Sequence, residues 1–257
     1  MGRHGDGRGW YGKVAGAALG VTVLAAGASA WTAQAGDVGG SSPRAESSAT
    51  PGAEVKPVAV SIVHASDAGA HGVNITIDDG PDPVWTPQVL DVLREYGVKA
   101  TFCMVGTQAQ AHPDLVKQVV AAGHRLCDHS VSHDTTMDTR SQTYQSQQIL
   151  DAERMITEAS GGVRPMYYRA PGGAFTPHSR KLAASRGMRP LGWNVDTKDF
   201  ERPGADAIVA TVERELPNGP TLLFHDAGGD RSQTVEALRR ILPSLKAQGY
   251  SFGFPVR

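Results

Sequence analysis

The chain has 257 residues, with 25 Lys and Arg against 26 Asp and Glu and a formal net charge of −1. Such balance supplies no basic field for nucleic acid or an anionic membrane surface. Two cysteines are too few for a disulfide scaffold, and neither a phosphate loop nor a dinucleotide fingerprint is present.

Arg3, Arg8 and Lys13 precede an apolar run from Val14 to Ala30, and small-x-small sites stand at Ala28-Ser29-Ala30 and Ala33-Gln34-Ala35. A positive start, a short apolar middle and a small-residue exit predict a secretory signal peptide over residues 1–35. The run is shorter than the roughly 20 residues of a spanning helix, and an uncleaved anchor is the alternative. The protein is therefore expected to be secreted or associated with the cell wall, and to touch a membrane only through an uncleaved leader. Residues 36–66 are rich in Gly, Ser, Pro and Ala at their start and predict a flexible linker. Near its end, Val58 to Val63 suggests a short edge strand. One globular domain, residues 67–257, follows.

Strand and helix signals alternate through this domain. Strands are predicted at Val73–Ile77, Ala100–Val105, His124–Cys127, Met166–Arg169, Met188–Asn194, Thr221–Phe224 and Tyr250–Phe254. Thr86-Pro87 and Thr176-Pro177 read as helix starts, Pro113 as a first-turn residue, and Gly97, Gly123 and Gly187 as helix stops. Alternation of this kind implies parallel strands joined by crossovers. It fits an α/β barrel or an open sheet. Cys103 and Cys127 are either one bridge, which export would permit, or two small buried apolar residues.

The chemically capable residues fall at the ends of these strands. Asp78-Asp79 follow the first, His129 and His133 the third, Asp196 and Asp199 the fifth, while Arg169 closes the fourth and His225 the sixth. In a barrel, the C-terminal strand ends share one face, and that face carries the active site. On a helix, His129 and His133 would meet on one side. With Asp79 they would form a His-His-carboxylate set with an open position, suited to Zn²⁺. Adjacent side chains on an extended backbone diverge, which leaves Asp78 free to take a proton from water. Arg169 or His225 would pair with carboxylates, Asp199 would orient one of them, and His225 is a candidate general acid. The other histidines, His4, His64, His71, His112, His124 and His178, read as surface or packing residues.

From about His71 to the C-terminus the sequence resembles the polysaccharide deacetylases with the NodB homology domain, carbohydrate esterase family 4. Five segments carry the resemblance in order: Thr76-Ile77-Asp78-Asp79-Gly80-Pro81, His129-Ser130-Val131-Ser132-His133, Arg169-Ala170-Pro171-Gly172-Gly173, Asp196-Thr197-Lys198-Asp199-Phe200 and Leu222-Leu223-Phe224-His225. The resemblance implies a distorted (β/α)7 barrel. It also implies a divalent metal, Zn²⁺ or Co²⁺, on Asp79, His129 and His133. Asp78 would be the base oriented by Arg169, and His225 the acid supported by Asp199. The Gly172 N–H would stabilise an oxyanion, and Phe200, Leu222 and Leu223 would contact substrate. Ile77, Gly172 and Phe200 depart from the family's Phe, Tyr and Trp, and the last two departures bear on substrate preference. The implied activity is N-deacetylation of N-acetylglucosamine glycans of the peptidoglycan or chitin type by a monomer. The alternatives are an acetylxylan esterase and, in a different class, a glycan-binding module without turnover.

Overall fold

The computed structural model describes residues 56–257. The leader and most of the linker lie outside the described residues. Lys56–Ser66 does not form the expected strand. It is nevertheless bonded along the domain edge: Val58 N–H donates to Ala184 O, Val63 N–H donates to Pro190 O, and His64 O accepts from Thr221 Oγ1.

In chain order the elements are β1 (Gly72–Asp78), α1 (Trp85–Glu95), β2 (Ala100–Met104), α2 (Gly106–Ala111), α3 (Pro113–Ala121), β3 (Arg125–Asp128) and α4 (Gln142–Ala159). There follow β4 (Tyr167–Tyr168), α5 (Pro177–Ser185), β5 (Arg189–Pro190), β6 (Val195–Asp196), α6 (Ala205–Glu215), β7 (Thr221–His225), α7 (Ser232–Ala247) and β8 (Ser251–Gly253). Every ladder between these strands is parallel. The sheet runs β5-β4-β3-β2-β1-β7-β6, and β8 pairs with the start of β1. Helices cover it, so β1, β2 and β7 are buried along their whole length, as continuous apolar parallel strands require.

The segment predicted as one strand, Met188–Asn194, is broken. Within it only β5 is strand, paired with β4, while β6, just beyond it, pairs with β7 at the opposite end of the sheet. Residues 191–194 therefore bridge the two sheet edges, and the sheet curls into a distorted α/β barrel. The Arg169 guanidinium fastens this gap by donating to Leu191 O and Gly192 O.

Helix ends follow the sequence with one exception. Thr176 caps α5 in a reciprocal capping box with Ser179, and Pro177 is the first helical residue. Gly97, Gly123 and Gly187 adopt φ of 62°, 82° and 78°. Thr86 is not the cap of α1. Asp82 Oδ1 accepts the Val84 and Trp85 N–H groups instead, and the Thr86 hydroxyl is committed to Asp226.

Cys103 and Cys127 are bonded as a disulfide. They are direct register partners on β2 and β3, at a sequence separation of 24. In the chain-entropy account a loop of that length stabilises by ~3 kcal/mol. Cys103→Ala/Cys127→Ala should lower the urea-unfolding free energy by about that amount; an unchanged midpoint and slope would contradict it.

Candidate active site

Asp78, Asp128 and His225 end β1, β3 and β7, and Arg169 follows β4 directly. The predicted site residues therefore converge on one end of the barrel. There Asp78, His129, Arg169 and His225 line a cleft of about 400 Å³ with Asp79, His133, Ala170, Gly172, Leu223 and Phe200, and Asp199 stands behind His225. Leu222 does not reach it. Alternation along β7 turns Leu222 into the core between sheet and helices, which removes it from the expected substrate contacts.

The Asp-Asp pair separates through the backbone rather than through the pleat. Asp78 is the last extended residue of β1, and Asp79 turns into the left-handed region at φ 79°. Asp78 is buried and accepts from Arg169 Nη1 at 2.6 Å. The same Nη1 also donates to Thr76 Oγ1. Burial pushes the Asp78 carboxyl above the usual carboxylate range, and the Arg169 charge opposes that rise.

The expected helix at 129–133 is absent. Ser130 and His133 have φ of 67° and 56°, so the segment is a tight loop. It still brings both rings together, with centroids 4.8 Å apart. His129 Nε2 lies 3.6 Å and His133 Nε2 3.2 Å from Asp79 Oδ1. One ligand atom each from Asp79, His129 and His133 can lie within 4.8 Å of the other two. His129 Nδ1 meets Arg169 O at 2.8 Å, which places the proton on Nδ1 and the lone pair on Nε2. Burial lowers the His129 pKa to about 3, so the ring is neutral.

Among the described residues, Asp79 Oδ1 is buried without a hydrogen-bond donor. A buried carboxylate oxygen left without a donor is costly. Two imidazoles facing it are the donor set of a borderline-soft divalent cation. The residues therefore fit a metal of the zinc or cobalt kind.

His225 is held from the other side of the cleft. Its Nδ1 lies 2.6 Å from Asp199 Oδ1, and its backbone N–H donates to Asp199 Oδ2. Thr234 Oγ1 donates to the same Oδ2. Burial works to lower the His225 pKa, but the bond to Asp199 and the negative charges of Asp199, Asp78 and Asp79 outweigh it and push the ring up to about 9. These bonds from His225 and Thr234 in turn outweigh burial at Asp199 and hold its carboxyl below its ordinary value. Phe200 is 40% exposed, and its ring stands edge-on to His225 at 5.3 Å. Ile77 is core, as its replacement of an aromatic suggests. Gly172, at φ 58°, faces Thr135 across the cleft floor.

Sequence reasoning passed over three residues. Trp193 lines the cleft beside Gly173 and lies over the Arg169 guanidinium at 5.6 Å. Gln148 of α4 reaches into the 129–133 loop. Asp226 is fully buried, accepts from Thr86 Oγ1 at 2.5 Å and packs against Gly80. Burial first, then the nearby Asp79 charge, push its carboxyl up to about 7. The strand-end rule that found His225 also points at its neighbour Asp226.

An α/β barrel with a His-His-Asp cluster and a His-Asp pair facing each other across one cleft defines a hydrolase class, and comparison with known proteins narrows it. A profile of the polysaccharide deacetylases matches residues 65–191. A peptidoglycan-N-acetylglucosamine deacetylase of Bacillus cereus is 41% identical over 182 residues, covering 70% of this chain and 84% of that one. A chitooligosaccharide deacetylase of Sinorhizobium fredii is 37% identical over 195 residues, covering 72% and 90%. Among solved structures, a peptidoglycan N-acetylglucosamine deacetylase superposes with a TM-score of 0.70 at 31% identity, covering 74% of this chain and 89% of that one. A Bacillus anthracis pseudoenzyme of the same family also reaches 0.70, at 28% identity over 77% and 68%. This chain belongs to the polysaccharide deacetylase family, the hydrolases of carbohydrate esterase family 4.

Proposed function

We propose that the chain is an exported, metal-dependent N-deacetylase acting on N-acetylglucosamine units of peptidoglycan or chitin-type glycans. The observation that carries this reading is the pairing, across one cleft, of the donor-less Asp79 Oδ1 between two imidazoles with the cationic His225. A divalent cation on Asp79, His129 and His133 would supply Lewis acidity at the acetamide carbonyl and acidify water.

The chain's own groups do the rest. Asp78, held by Arg169, takes a proton from the attacking water as the new C–O bond forms. The Gly172 N–H donates to the carbonyl oxygen as it gains negative charge. His225 gives its proton to the departing nitrogen as the C–N bond breaks, and Asp199 stabilises the imidazolium until then. Acetate and a free amine leave. Leu223 and Phe200 offer an apolar wall to the acetyl methyl. His225 protonated up to about 9 suits an amine leaving group, which needs a proton to depart; an ester alkoxide needs less help.

The direct test is acetate release from chitooligosaccharide, peptidoglycan fragments and acetylated xylan, with zinc content read on the same sample. Release from the two N-acetylated glycans is expected. Release from xylan alone would replace this reading with O-deacetylation, and glycan binding with no release from a zinc-loaded chain would make the protein a binding module. Export is tested separately by the N-terminal sequence of the mature protein.

The pH profile follows from the two proton carriers. Activity requires Asp78 unprotonated and His225 protonated, so kcat/KM should rise with pH through the Asp78 titration and fall beyond about 9. Because Asp199 raises the His225 pKa, Asp199→Asn should move the alkaline fall to lower pH. An alkaline fall unmoved by that substitution would remove His225 from the acid role.

A further inference from the structure

We infer that Gln148, on α4 and outside the cleft lining, is a positioning residue for the metal-binding loop. The inference rests on the proposed ligand role of His129 and His133, and it goes beyond that role in naming what holds them.

The loop from Ser130 to Ser132 belongs to no helix and no strand, so its backbone groups must find partners elsewhere. Its carbonyls meet the start of α2, where Gly106 N–H donates to Ser130 O at 2.9 Å and Thr107 N–H to Val131 O at 3.2 Å. Its N–H groups meet side chains. Asp128 Oδ1 accepts from Ser130 N–H at 2.8 Å, and Ser130 Oγ accepts from His133 N–H at 3.1 Å. The two remaining donors, Val131 N–H and Ser132 N–H, both go to Gln148 Oε1 at 3.1 Å, and the Ser132 hydroxyl joins them at 3.1 Å. One amide oxygen thus gathers three donors from the residues strung between the two histidines.

That loop is bent through two left-handed residues, Ser130 and His133, which costs backbone energy that neighbouring bonds must offset. Without the acceptor, both N–H groups turn to water and the left-handed turn at His133 is left with the Ser130 Oγ bond alone. His133 Nε2 would then sample positions away from Asp79 Oδ1. His129 is fixed independently by Arg169 O, so the loss falls on the second imidazole. Partners outside the direct ligands of a metal site commonly tune its affinity by ~10–100-fold.

The test uses the full chain and three forms: wild type, Gln148→Ala, and Gln148→Glu, which keeps the accepting oxygen. Zn²⁺ affinity is measured by competition with a chromophoric chelator, and the Co²⁺ form is read by its visible absorption. Gln148→Ala should bind Zn²⁺ ~10–100-fold more weakly and change the Co²⁺ spectrum, while the metal-free protein melts as wild type does. Gln148→Glu should restore most of the affinity. Equal Zn²⁺ affinity in wild type and Gln148→Ala would overturn the inference and leave the ligand assignment standing. A parallel drop in metal-free melting temperature with no rescue by Gln148→Glu would make Gln148 a merely structural residue. A wild type that binds neither ion would bring down the ligand assignment and this inference together.

Discussion

Asp78→Asn should leave Zn²⁺ binding near the wild-type level and lower kcat by ~10²–10⁴-fold, the usual span for loss of a proton-transferring group. Asp79→Ala should do the reverse at the first step, losing the ion and the activity with it. The two residues are neighbours in sequence but not in environment. Asp78 is buried against a guanidinium; burial raises its proton affinity, and Arg169, which donates to it, opposes that rise. Asp79 has left the strand through a left-handed turn, and its buried oxygen faces two ring nitrogens with no donor. Asparagine keeps the shape of Asp78 and still accepts from Arg169, so the metal loop should be undisturbed. Metal content by elemental analysis and acetate release on the same preparations decide the matter. If Asp78→Asn and Asp79→Ala lose zinc alike, the base and ligand roles are not divided as argued.

The layout of the cleft was partly legible in the chain itself. The placement of Asp78, Arg169 and His225 at strand ends followed from alternating strand and helix signals, because a parallel barrel can carry convergent side chains on one face only. The His129–His133 spacing also picked out two rings that do meet, but by a different geometry. A helix was expected, whereas two left-handed residues make a tight loop, and neither Ser130 nor His133 announces positive φ. The break within the predicted strand Met188–Asn194 was illegible for a related cause. Local apolar pattern cannot show that the chain before and after the break pairs with opposite edges of the sheet. Leu222 was misassigned because its motif position says nothing about which face of β7 it takes. Asp226 and Gln148 act through contacts 140 and 16 residues away in sequence, a separation at which pattern carries no signal.

The other large effect should come from Arg169→Met. Arg169 is fully buried and donates to Asp78, Thr76, Leu191 and Gly192. Two of these partners lie in the segment that bridges the sheet edges, so one side chain both neutralises the buried carboxylate and closes the barrel. Methionine fills much of the volume but leaves Asp78 an uncompensated buried charge, a change that costs ~3–5 kcal/mol in comparable pairs. The sign of the pH dependence follows. Burial already raises the Asp78 carboxyl, and Arg169 is the first-ranked opposing influence. Without it, the folded-state pKa climbs further above the unfolded value of about 4, and the folded chain holds the extra proton. The variant should therefore show only the pH-independent deficit of the unpaired Leu191 and Gly192 carbonyls below about pH 4, and lose further ground as pH rises through the new Asp78 pKa. Urea unfolding from pH 4 to pH 8 measures this directly. Adding Asp78→Asn to Arg169→Met should remove the charge penalty and flatten the pH dependence, while the unpaired Leu191 and Gly192 carbonyls keep part of the loss. A constant deficit at every pH in the single variant would mean that Arg169 serves the barrel seam alone and does not hold Asp78 ionised.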